Sequence, residues 1–217
     1  MKRNFLKSLL AFSLSTIAFS SFAQGKQSQA MYSVETSSVK AMIPNESKPT
    51  LVELFWYGCP HCFTMKPMVE NLANQYAGKI NFVRFPVGFK SWESGTRLFF
   101  TLEQYKVLDK AHNLLFNEIH VNKRPILNDV KARATFFKQI GLDPVQAEAT
   151  MNSFSVSNKT TMASKFIEDM KVNSSPILAV YYNGKFHLTS PVHTGSYQNT
   201  IAVANQLLTT ATKVKTF

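Results

Sequence analysis

The chain has 217 residues, 45% of them hydrophobic, with 18 phenylalanines and only two cysteines. That is enough apolar material for one domain, or a domain with an insertion, to build a core without disulfides, which argues against the cysteines being a structural clip. The 24 Lys+Arg against 13 Asp+Glu give a net charge of +11, but the cations are scattered with no basic stripe or aromatic RNA-binding signature. Nucleic acid is therefore not an expected partner, and solubility or attraction to anionic surfaces is the plainer reading.

The first 23 residues read as an export signal. Lys2, Arg3 and Lys7 form a basic start, Leu9 to Phe19 an apolar stretch too short to span a bilayer, and Ser21-Phe22-Ala23 a small-x-small cleavage site. Cleavage after Ala23 leaves 194 of the 217 residues, with 21 Lys+Arg against 13 acids. No later segment is long and apolar enough to cross a membrane.

Thr50 to Tyr57 is a nearly unbroken apolar run, the pattern of a strand buried on both faces, and Gly58 ends it. Pro60 suits the first turn of a helix carried forward by Phe63, Met65, Met68, Val69, Leu72 and Tyr76, with Pro67 a kink and Gly78 a stop. Lys79 to Val87 reads as a second strand. From about residue 91 to 163 the periodicity is helical. Leu98, Leu102, Tyr105, Leu108, Leu115 and Ile119 mark one long or broken helix, Asp129 caps the next, Gly141 ends it, and Asp143-Pro144 opens a third. A further helix leads towards Val172. Ile177 to Leu188 is a hairpin turning at Asn183-Gly184, and Tyr197 to Val214 a closing amphipathic helix.

Cys59 and Cys62 thus stand where a strand hands over to a helix N-terminus. Unpaired backbone N–H groups and the positive end of the helix dipole favour a thiolate at Cys59, and His61 would add to this if it donates or is protonated. A stabilised thiolate favours the reduced pair and makes Cys59 a good leaving group, with Cys62 behind it as the resolving thiol. A zinc or copper site needs a second pair of ligands, and His112, His120, His187 and His193 show no tight pairing. A short-loop structural disulfide gains little entropy. Redox exchange is the reading these residues favour over both.

Cys59-Pro60-His61-Cys62 after an apolar strand, in a chain with an export signal, resembles the active site of the DsbA-type thiol:disulfide oxidoreductases. The resemblance implies an α/β, thioredoxin-like fold with an inserted helical domain: a first thioredoxin-like part over 24–90, a helical insertion over 91–163 and a second thioredoxin-like part over 164–217. It implies that Pro176 is cis and faces the cysteines, leaving the backbone at Ser175 to pair with an extended substrate; Ser175 departs from the Val or Thr common before this proline. Glu53 falls where the family has a buried acid that takes the Cys62 proton, and Arg84 where a lysine is usual. Trp56, among the aromatic residues flanking the motif, is assigned to an apolar rim for unfolded chains. The expected partners are reduced exported proteins and a quinone-linked, DsbB-type membrane oxidase, in the periplasm, with no bound cofactor or metal and a monomeric chain. A disulfide isomerase or reductase of the same fold, and a non-catalytic periplasmic holdase, are the alternatives.

Overall fold

The computed structural model describes residues 32–34, 43 and 47–213. The segment read as an export signal, its expected cleavage site and Val214 at the expected end of the last helix lie outside the described residues.

Among the described residues, five strands and eight α-helices follow one another as β1 (Tyr32–Val34), β2 (Thr50–Phe55), α1 (Pro60–Gln75), β3 (Asn81–Pro86), α2 (Glu93–Gln104), α3 (Leu108–His120), α4 (Val130–Gln139), α5 (Pro144–Met151), α6 (Phe154–Asp169), β4 (Ile177–Tyr182), β5 (Lys185–Thr189), α7 (Pro191–Thr194) and α8 (Tyr197–Lys213). The sheet order is β1-β5-β4-β2-β3, with β2 parallel to β3 and antiparallel to β4. Every residue of β2 is buried, as its apolar run demands of a strand covered on both faces. One face, through Leu51, Leu178 and Val180, packs on Met65, Val69 and Leu72 of α1 and on Ala204, Leu208 and Ala211 of α8. The other, through Val52, Leu54 and Phe85, packs on the helical part, where Phe166 of α6 meets Phe85 edge-on at 4.7 Å. This is a thioredoxin-like sheet with helices inserted between β3 and β4.

The structure amends several expected boundaries. The strand ends at Phe55 rather than Tyr57, because Cys59 N–H turns back to Trp56 O at 3.0 Å. The second strand is Asn81–Pro86, shorter at both ends than expected. The first inserted helix is two, α2 and α3, broken at Lys106, whose φ of 57° lies in the left-handed region. Pro67 sits inside α1, as expected of a helix that runs on towards Gly78. The helix expected to lead towards Val172 and straddle the return to the sheet part is α6, which runs across residue 163. β1 precedes the strand taken as first, making the opening β-β-α-β; three half-exposed residues carry no periodic signal. Elsewhere local chemistry holds: Asp129 and Asp143 accept the Ala132 and Gln146 N–H groups at 2.7 and 2.8 Å, caps worth about 1 kcal/mol each. Asn183 and Gly184, at φ 50° and 76°, form the hairpin turn.

Candidate active site

α1 begins at Pro60 with Cys59 as its N-cap, and no acidic residue in the first turn competes for the helix's positive end. Cys62 N–H donates to Cys59 Sγ at 3.3 Å. Both cysteines are free thiols here and buried, yet their surroundings push their acidities apart. The Cys59 thiol is lowered to about 5, chiefly by a hydrogen bond from the Cys62 thiol, against the opposing effect of burial, and further by Ser175 and by the N–H groups of Cys62 and His61. Cys62 is raised well above the ordinary thiol value, first by burial and then by its neighbour. Cys59 therefore carries the charge of the pair, and Cys62 the proton.

The peptide bond from Ser175 to Pro176 is cis, and the Cys59 thiol lies 3.6 Å from Ser175 O. Ser175 Oγ is buried without a hydrogen-bond partner, so its O–H is free to turn towards the Cys59 thiolate. Beside them lies an open groove of about 470 Å³ lined by His61, Ser175, Pro176, Pro191, Val192 and Tyr197. Pro60 and His61 are exposed. His61 Nδ1 and Tyr197 OH are 2.6 Å apart, a hydrogen bond across the groove's lip.

Below, Glu53 is fully buried and stands opposite Arg84 in the parallel β2–β3 register. Arg84 Nε is 3.4 Å from Glu53 Oε2, but its shorter bond, 2.8 Å, goes to Glu70 of α1. Lys66 Nζ is also 3.1 Å from Glu70. Burial raises Glu53 to about 7 against the lowering effect of Arg84. The resemblance singles out Glu53 and Arg84; the structure adds Lys66 and Glu70, an i,i+4 pair of α1, to the same charge cluster.

Trp56 is half-buried, stacked on Trp92 at 4.5 Å with rings 6° apart, and its indole N–H is buried. Trp92, which no sequence pattern singles out, thus packs face to face with Trp56. Phe55 and Tyr57 are interior and Phe63 is half-buried. Met65 is buried, Met68 half-buried. Tyr57 OH meets His112 Nδ1 at 3.1 Å, and His120 Nε2 donates to Tyr57 O at 2.7 Å. Two of the four histidines weighed as metal ligands, His112 and His120, are instead bonded to the segment that enters the active site. Among the described residues no three His, Cys, Asp or Glu side chains gather in a metal-holding group.

A thioredoxin family model matches residues 30–91. The thiol:disulfide interchange protein DsbA of Burkholderia cepacia is 30% identical over 187 residues, covering 86% of this chain and 84% of its own. The chain belongs to the DsbA family. The DsbA of Pseudomonas syringae pv. tomato is 31% identical over 198 residues, covering 91% and 88%. A crystal structure of Pseudomonas aeruginosa DsbA superposes with a TM-score of 0.68 at 28% identity, over 84% of this chain and 90% of the other. As a DsbA-family enzyme, the protein is a thiol:disulfide oxidoreductase that introduces disulfide bonds by dithiol–disulfide exchange.

Proposed function

We propose that Cys59 is the exchanging sulfur, Cys62 the resolving one, and that the enzyme acts as a dithiol oxidase on reduced exported proteins in the periplasm. The observation that carries this reading is the opposed pull on the two thiols, Cys59 lowered to about 5 and Cys62 raised. A thiolate so stabilised makes the reduced pair favourable and the disulfide a strong oxidant.

The exchange balances in two displacements. A substrate thiolate attacks Cys59 Sγ of the disulfide; the S–S bond breaks, and Cys62 leaves and takes up a proton. The substrate's second thiolate then attacks its own sulfur in the mixed disulfide, releasing oxidised substrate and the Cys59 thiolate. The substrate gives up two electrons and the pair gains them. Glu53, buried with a value near neutrality, is suited to exchange the Cys62 proton, and Arg84 to hold its charge. Ser175 and Pro176 offer backbone for an extended substrate, in the groove beside His61 and the apolar rim that includes Trp56. Re-oxidation falls to a quinone-linked, DsbB-type membrane partner, the chain acting as a monomer without bound cofactor.

Equilibration of the purified mature protein in glutathione buffers tests this reading. A reduction potential near the roughly −120 mV typical of DsbA-type oxidases supports it, whereas one at or below about −180 mV makes the enzyme an isomerase or reductase.

A further inference from the structure

Residues Trp56 to Cys59 form a four-residue turn, closed by Cys59 N–H on Trp56 O at 3.0 Å. The central peptide of such a turn, here Tyr57–Gly58, can take either of two orientations related by a flip, and glycine at the third position favours the flipped form, in which its φ is positive. Gly58 does not adopt it. Its glycine identity answers to a different demand, since a Cβ there would lie 2.4 Å from the Trp56 ring. The residue that packing requires thus leaves the turn free to flip, and some other contact must choose the orientation.

That contact comes from α3. His112, Phe116 and His120 follow at i, i+4 and i+8, so they share one helix face. Their rings form a ridge with centroids 5.1 and 5.8 Å apart. At one end His112 holds the Tyr57 hydroxyl. At the other, His120 donates Nε2–H to Tyr57 O at 2.7 Å and stacks on Phe63 at 5.0 Å, 15° from parallel. His120 therefore grips the chain two residues before Cys59 and one residue after Cys62. A carbonyl only accepts, so the bond also fixes a proton on Nε2. Flipping the peptide would swing Tyr57 O away and break it.

We propose that His120 is a positioning residue for the exchange reaction, a latch that selects the orientation of the Tyr57–Gly58 peptide and so fixes Cys59 at the N-terminus of α1. It rests on the reading of Cys59 as the exchanging sulfur. An unlatched turn spends part of its time with Cys59 displaced from the N–H groups that stabilise its thiolate. The reduced pair then loses stability relative to the disulfide, and the enzyme becomes a weaker oxidant.

Two variants of the full mature chain test the latch. His120→Phe keeps a ring to stack on Phe63 but has no donor; His120→Gln restores an N–H. With glutathione as the reference couple, H120F is expected to shift the equilibrium roughly three- to tenfold towards the disulfide, and H120Q to stay within about twofold of the parent, as the net worth of one hydrogen bond implies. The Cys59 thiolate absorbance should titrate at higher pH in H120F. A merely structural role would lower the melting temperatures of the oxidised and reduced forms alike and leave the equilibrium constant in place, and that result overturns the proposal. So does an H120Q shift equal to that of H120F. Nitrogen-15 spectra of the histidine-labelled parent need no variant: a protonated, pyrrole-type Nε2 on His120 is expected, and a pyridine-type Nε2 refutes the latch even if H120F fails to fold. Alkylation of the parent separates the two readings. If Cys62 reacts before Cys59, the site assignment fails; if Cys59 reacts first and H120F is unchanged, the latch alone fails.

Discussion

The mouth and the floor of the active site are separated by a single helical turn and treat the same functional group in opposite ways. At the mouth, Cys59 has the N-terminus of α1, a free serine hydroxyl and an open groove, and its thiol is lowered to about 5. At the floor, Cys62 is sealed among buried side chains and its thiol is raised. A charged, reachable sulfur and a neutral, withheld one are the two roles that disulfide exchange needs, and here position along one helix assigns them. Glu53, also at the floor, follows Cys62: although beside Arg84, it is raised to about 7 because burial outweighs the attraction.

The contrast can be broken outright by deleting either sulfur. Cys59→Ser should lower the rate of disulfide formation in a dithiol peptide at least about 10³-fold, since a hydroxyl cannot form the mixed disulfide; residual turnover near the parent's would place the chemistry elsewhere. Cys62→Ala should also stop turnover but leave Cys59 able to bond its clients, so mixed disulfides should accumulate on non-reducing gels. Protection of clients without any adduct would support the holdase reading instead. In the parent, the thiolate absorbance of the reduced protein should disappear as pH falls through about 5, and a midpoint above 7 would erase the difference between mouth and floor.

Smaller changes sharpen it. Glu53 has a folded value of about 7, above the ordinary 4.5, so the folded state binds its proton more tightly than the unfolded one. Its contribution to stability is full below about 4.5 and is lost as pH rises through 7. Glu53→Gln should thus be neutral near pH 4.5 and more stable than the parent by about 3 kcal/mol at pH 8, as denaturant titrations at the two pH values would measure. An equal effect at both would mean that the carboxylate is not strained by burial. Last, Ser175→Val removes the free hydroxyl at the mouth and should shift the glutathione equilibrium about threefold towards the disulfide; no shift would show that the hydroxyl turns away from Cys59.

What could be read from the sequence was mostly what neighbours in the chain decide. The passage from an apolar strand through Gly58 to a proline-led helix, the caps at Asp129 and Asp143, and the turn at Asn183-Gly184 are all local bargains between backbone and side chain, and each stands in the structure. Redox exchange at Cys59 and Cys62 followed from that local frame. What escaped depends on distance. His120 gains its role from a carbonyl 63 positions earlier, Trp92 from a ring it meets only after folding, and β1 from an edge that β5 offers it. Glu70 displaced Glu53 as the nearer partner of Arg84 because helix α1 lies over that face, which no strand pattern reveals. The spacing His112-Phe116-His120 was the one available clue, a helix-face stripe hidden by weighing histidines solely as metal ligands.

The chain leaves the sheet part at Gly88 and returns along α6, and these two crossings touch: Ser164 donates its hydroxyl to Gly88 O at 2.6 Å, while a Cβ at Gly88 would lie 2.7 Å from Ser164 N. The helical excursion is therefore a polymer loop pinned shut at its neck. Because the entropy of closing such a loop grows only logarithmically, doubling its length costs about 0.6 kcal/mol. Exposed connections within the excursion can therefore lengthen or shorten at small cost to the sheet, provided the neck keeps its glycine.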